Sequence, residues 1–232
     1  MSFDYSSTAQ SVVISTPAER NRVLRNTYAL LALSLVPTVL GAAVGVYSGL
    51  AQTLTASPWI TLAIFMFGSM GLMLMVEKNR NSSTGVAWLM AFTFFMGLML
   101  SRIVARTLGY SNGGQLMMLA FGGTAVVFAG AAMVAGMVKK DLSSMGKFLT
   151  IGAWVLFAAI IANMIFQIPA LTLTILVGIV LVFSMFLMYD LNKIMSGGET
   201  NYISATLNVY LDVYNIFSAL LALIGIGGGS RD

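Results

Sequence analysis

The chain contains no cysteine and no histidine. Those two absences exclude disulfides, thiol nucleophiles, Cys/His metal sites and every scheme that uses imidazole as the base. Charge is scarce as well. Twelve Lys/Arg and eight Asp/Glu are 9% of 232 residues, against about 25% in an ordinary soluble domain. With 58% hydrophobic residues and a mean hydropathy of +0.90, too few charges remain to cover the surface of a water-soluble globule. The net charge of +4 lies in short connections between apolar stretches and forms no patch, so nucleic acid is not an expected partner. Membrane lipid is.

The apolar residues come in blocks of about 18–24 and do not alternate with polar ones, which argues for spanning helices and against an outer-membrane barrel. Seven spans are expected, at 27–47, 58–76, 84–101, 115–138, 148–166, 171–190 and within 202–226. The expected fold class is therefore an all-α integral membrane protein with seven transmembrane helices. Residues 1–26 are expected as a flexible cytoplasmic tail, 27–226 as the helical domain, and 227–232 as a short external tail. Pro58 and Pro169 open spans, where a missing amide is harmless, whereas Pro37 falls inside the first and should kink it.

Orientation follows from the basic residues in alternate loops. With the N-terminus inside, Arg20, Arg22, Arg25, Lys78, Arg80, Lys139, Lys140, Lys147 and Lys193 are cytoplasmic, and Arg102, Arg106 and Arg231 are external. Nine against three is the bias of a chain with its N-terminus in and its C-terminus out. Arg102 and Arg106 are spaced to share one helix face and are expected to snorkel to headgroups. Gly41, Gly45 and Gly49, and Ala132 with Gly136, recur at the four-residue spacing that lets helices approach closely. The 17 methionines are expected as packing and lipid-facing residues; no metal site and no cofactor is expected.

Intramembrane carboxylates are costly, so they are the informative residues. Asp190 closes the sixth span and Asp212 lies in the seventh. Ser204, Asn208, Asp212, Asn215 and Ser218 form one polar stripe, which should bury the seventh helix among the others. A hairpin centred on Gly197-Gly198 leaves the two aspartates about 10 Å apart in depth. The mismatch disappears if 199–206 is interfacial and the helix proper spans Leu207 to Ile226, the version expected here. Two neighbouring carboxyls in low dielectric cannot both ionise cheaply. Protonated, they can share a hydrogen bond; ionised, they repel unless a cation enters. The pair is thus a candidate pH sensor and ion gate, with a transient cation at Asp190 and Asp212. Glu77 is expected to pair with Lys78 and Arg80 at the interface.

The stretch Gly197-Gly198-Glu199-Thr200-Asn201-Tyr202-Ile203, followed by Tyr214-Asn215-Ile216-Phe217 and Leu223-Ile224-Gly225-Ile226, resembles the C-terminal signature of the Bax-inhibitor family of seven-span proteins. Tyr189-Asp190-Leu191-Asn192 and Tyr210-Leu211-Asp212 do so too. Val23-Leu24-Arg25-Asn26-Thr27-Tyr28 and the ending Ser230-Arg231-Asp232 are more similar to its bacterial YccA-like branch. The resemblance implies six helices around a central seventh, and a di-aspartyl gate at Asp190 and Asp212, latched by a basic residue for which Lys78 and Arg80 are the candidates. It implies two functions: modulation of the membrane-anchored AAA protease FtsH in the bacterial inner membrane, taken as the main one, and a pH-gated leak of calcium or other cations, taken as the alternative. Residues 58–76 hold no acidic residue, where some calcium-conducting relatives carry one. Enzymatic activity is not expected. An intramembrane aspartyl protease needs Gly-x-Gly before its second aspartate, and Val209-Tyr210-Leu211 stands there instead.

Overall fold

The computed structural model describes residues 16–138 and 142–229, and these form eight helices with no strand among them. They are α1 (Pro17–Tyr47), α2 (Leu50–Ala56), α3 (Pro58–Lys78), α4 (Ser83–Leu108), α5 (Gly113–Met137), α6 (Ser143–Phe166), α7 (Pro169–Ser196) and α8 (Tyr202–Gly228). All except α2 are long and apolar enough to cross a membrane, which makes seven candidate spans.

Several boundaries differ from the sequence expectation. Residues 17–26, expected in a tail, are the first turns of α1. Thr16 and Glu19 close a reciprocal capping box there, with Pro17 at the first helical position. The rest of the expected tail, residues 1–15, lies outside the described residues, as do Lys139, Lys140 and residues 230–232. The short α2 was not expected, and Gly49, read as a packing glycine, is the left-handed residue (φ 79°) that starts it. Only Gly41 and Gly45 of that trio pack between helices: a Cβ on Gly41 would overlap the carbonyl oxygen of Phe94, and one on Gly45 the side chain of Ser101. Gly97 on α4 completes the seam, because a Cβ there would overlap the carbonyl of Thr38. α1 and α4 thus meet backbone to backbone. α1 also runs through Pro37 as one helix.

α8 is the centre. Half of its most apolar window is buried, against 6% for α3 and for α6. It packs on α1, α3, α4, α5 and α7, while α6 joins the bundle chiefly through α7. Five of the six other spans make the main contacts with it, and the sixth, α6, stands behind α7. Large apolar side chains on the outer helices, such as Phe67, Val126 and Trp154, remain exposed, as a lipid-facing surface requires.

Candidate functional site

α7 stops at Gly197, which takes the left-handed conformation (φ 84°) that a helix-ending glycine adopts at low cost. The amides of Gly197 and Gly198 bond back to the carbonyls of Ile194 and Lys193, 3.1 and 2.8 Å. Asn201 then caps α8: its side-chain oxygen accepts from the amides of Ile203 (2.9 Å) and Ser204 (3.2 Å). Its side-chain nitrogen donates to the Arg80 carbonyl (2.9 Å) and to Asn81 Oδ1 (2.8 Å), tying this turn to the loop between α3 and α4. The Gly-Gly-Glu-Thr-Asn stretch is therefore capping machinery that fixes how α8 leaves α7.

The hairpin brings the carboxyl groups of Asp190 and Asp212 within interaction range of each other. A hydrogen bond between them needs a proton on one of the two. Contact is reached without the interfacial segment expected at 199–206, since α8 is helical from Tyr202. Asp190 is six residues, about 9 Å, from the end of α7, and Asp212 is ten residues, about 15 Å, from the start of α8. The connection of residues 197–201 is long enough to absorb the difference of about 6 Å. Side chains also lean toward their own helix N-terminus, so in an antiparallel pair the two carboxyls converge. Asp212 is 4% exposed, and its Oδ2 is buried with no hydrogen-bond partner among the described residues.

The other expected site residues are distributed differently. Lys78 and Arg80, the latch candidates, are exposed, and neither makes an ion pair with the aspartates. Arg80 pairs with Glu77 at 3.3 Å, as expected, but no ion pair joins Lys78 to Glu77. The cation that acts on Asp190 is Lys193, one turn further along α7 and 3.7 Å from Glu199. The polar stripe of α8 is real but mostly satisfies itself. Asn215 Nδ2 donates to the Leu211 carbonyl (2.8 Å) and Ser218 to that of Asn215 (3.1 Å). Besides Asp212, which meets Asp190 of α7, Ser204 reaches another helix, donating to Glu77 Oε2 at 3.1 Å, and Asn208 is half-buried.

The bonds that hold α8 in the bundle come from residues that sequence reasoning left aside. Tyr210, 1% exposed, is 2.8 Å from Thr38 Oγ1 of α1 and stacks edge-on against Phe92 of α4. Tyr214 donates to the Met96 carbonyl at 3.2 Å. Asn192, buried two residues beyond Asp190, donates to the carbonyls of Ala135 (3.2 Å) and Val138 (2.8 Å) and so closes the end of α5. Its place in Tyr-Asp-Leu-Asn was the available signal: an amide near the end of a spanning helix must find partners.

The sequence profile of the family described as "Inhibitor of apoptosis-promoting Bax1" matches residues 20–229. An uncharacterized protein of Neisseria meningitidis is 38% identical over 206 residues, 88% of this chain and 91% of that protein. An uncharacterized protein of Pseudomonas aeruginosa is 38% identical over 219 residues, 93% and 94% of the two chains. The Escherichia coli K12 protein named Modulator of FtsH protease YccA is 36% identical over 212 residues, 91% of this chain and 92% of that protein. In a second E. coli strain, the matching protein is named Inner membrane protein YccA.

Proposed function

This chain belongs to the Bax-inhibitor family, and from that premise we propose that it modulates the membrane-anchored AAA protease FtsH by direct contact in the bacterial inner membrane. The observation that carries this reading is the identity to the E. coli modulator, which runs through nine-tenths of both chains and is not confined to one segment. The role is modulatory, not catalytic. On this reading the N-terminus faces the cytoplasm and the C-terminus the periplasm, because nine of the 12 basic residues fall on the N-terminal side of the alternating loops.

The physics of α1 supports it. A helix of 31 residues is about 47 Å long, and the hydrocarbon core takes about 30 Å. About ten residues, with Arg20, Arg22 and Arg25 among them, therefore extend beyond the core as a handle for a pulling protease. Behind the handle, α1 is seated against α4 through Gly41, Gly45 and Gly97 and bonded to α8 through Thr38. Force on the N-terminus is resisted by the centre of the bundle, which makes the chain a slowly extracted substrate that occupies the protease.

The test is co-purification of FtsH with the tagged full chain from membranes, compared with a chain lacking residues 2–15 and with Asp212→Asn. The expected result is capture by the wild type and by Asp212→Asn, and loss on removing the terminal segment. Capture no greater than by an unrelated seven-span protein would overturn the reading.

The buried carboxyl pair favours a second reading, a pH-gated leak of calcium or another cation in which Asp190 and Asp212 exchange their shared proton for the ion. Its expected signature is calcium flux into liposomes that differs between acidic and alkaline pH and loses that dependence in Asp212→Asn. Flux equal to that of empty liposomes at both would leave the pair a structural contact.

A further inference from the structure

At the end of the bundle away from the carboxyl pair, α2, α4, α7 and α8 line an open cavity of about 840 Å³. Arg102 and Arg106 both line it, one turn apart on α4. The sequence expectation was two arginines snorkelling to headgroups around the outside. Both residues are exposed, and they share this open cavity with Gln52 and with the hydroxyls of Thr55, Thr107 and Thr172. Arg102 lies six residues before the end of α4, about 9 Å below it, and close enough to Tyr214 to interact electrostatically.

Neither arginine has a counter-anion among the described residues. Among the described residues the ion pairs are Arg80–Glu77 and Lys193–Glu199, both at the opposite end. The described carboxyl side chains are Glu19, Glu77, Asp190, Glu199 and Asp212; none lines the cavity. Two guanidiniums one turn apart on the same helix face repel each other, and an anion that joins both relieves that repulsion. The planar fork of arginine matches a tetrahedral oxyanion through paired hydrogen bonds. The rest of the lining is apolar, with Leu176, Leu221, Ala222 and Ile226. That suits an anion with a hydrocarbon body.

We propose that this cavity binds a phosphate group through Arg102 and Arg106. The phosphate is carried by an anionic phospholipid or is free in solution, and the experiment separates the two. The site uses neither the carboxyl pair nor the protease contact and stands whether or not those readings do.

The test is ligand retention by the purified full-length chain in detergent, read by native mass spectrometry, with phosphatidylglycerol, phosphatidylcholine and inorganic phosphate as probes. The wild type is expected to hold one phosphatidylglycerol in preference to phosphatidylcholine. Arg102→Gln/Arg106→Gln is expected to bind it at least about tenfold more weakly, the loss of one charge-assisted contact or more. Gly225→Leu reaches the same end without removing charge. A Cβ at Gly225 meets nothing nearer than Tyr110 at 3.8 Å and Thr107 at 3.9 Å, so a side chain there starts without a clash and enters the cavity. Displacement of the lipid by inorganic phosphate identifies free phosphate as the ligand, and resistance to it identifies the lipid. Equal retention by the wild type and both variants would overturn the proposal. So would an equal loss in Lys78→Gln, whose charge lies at the other end.

Discussion

Removing the Tyr210 hydroxyl tests whether α8 is held at the centre by specific bonds or by apolar burial alone. Thr38 Oγ1 donates its proton to the Ser34 carbonyl at 2.9 Å, so the 2.8 Å contact with Tyr210 has the tyrosine as donor. The alternative acceptor for Tyr210 is the Thr93 carbonyl at 3.5 Å, which is at the limit of a hydrogen bond. Tyr210→Phe keeps the ring against Phe92 and deletes only the hydroxyl. Hydrogen bonds between helices in membrane proteins are worth about 0.6 kcal/mol on average and about 1.7 at most. At about 2–4 °C per kcal/mol for a chain of this size, the Tm should fall by about 1–7 °C. Thr38→Val should cost at least as much, because it leaves the buried Tyr210 hydroxyl with the distant carbonyl alone. In the double variant the donor and acceptor disappear together, so the two losses should not add, and the coupling should be about 0.6–1.7 kcal/mol. The assay is equilibrium unfolding of the four proteins in mixed micelles. Strict additivity would refute the argument, since the hydroxyls would then not be bonded to each other.

Other consequences follow from the same packing. Gly41→Ala drives a methyl group into the Phe94 carbonyl and should destabilise by about 1–3 kcal/mol, whereas Gly71→Ala, with nothing within 4 Å, should be neutral; thermal size-exclusion profiles separate them. Asn192→Leu removes two bonds to the end of α5 and should raise amide hydrogen exchange in the last turn before Met137 while leaving α1 unchanged.

The spans were legible because hydropathy measures what the bilayer requires, a run of about 20 apolar residues. It does not measure helix length, and each misplaced boundary has that cause. α1 begins at Pro17 because a capping box starts helices in water as well as in lipid; Thr16-Pro17-Ala18-Glu19 carried that signal in plain view. α4 continues through Arg102 and Arg106 to Leu108, since arginine is a good helix former whatever its charge. The meeting of Asp190 and Asp212 was expected on the premise that 199–206 is interfacial, but α8 is helical from Tyr202. The lean of side chains in an antiparallel pair was the missing factor. Lys193 is three residues from Asp190 on α7, so its nearness was legible in the spacing; that Lys78 and Arg80 stand apart was not, because it depends on where α3 stands relative to α7. The roles of Tyr210 and Asn192 likewise rest on contacts with residues more than 50 positions away.

The central claim is that the chain modulates FtsH, and the most direct measurement is the rate at which purified FtsH degrades a model membrane substrate in proteoliposomes as the chain is added. The account predicts that degradation slows in proportion to the chain present, equally for the wild type and Asp212→Asn, and recovers when residues 2–15 are removed. An unchanged rate with the chain in excess over the protease would contradict it.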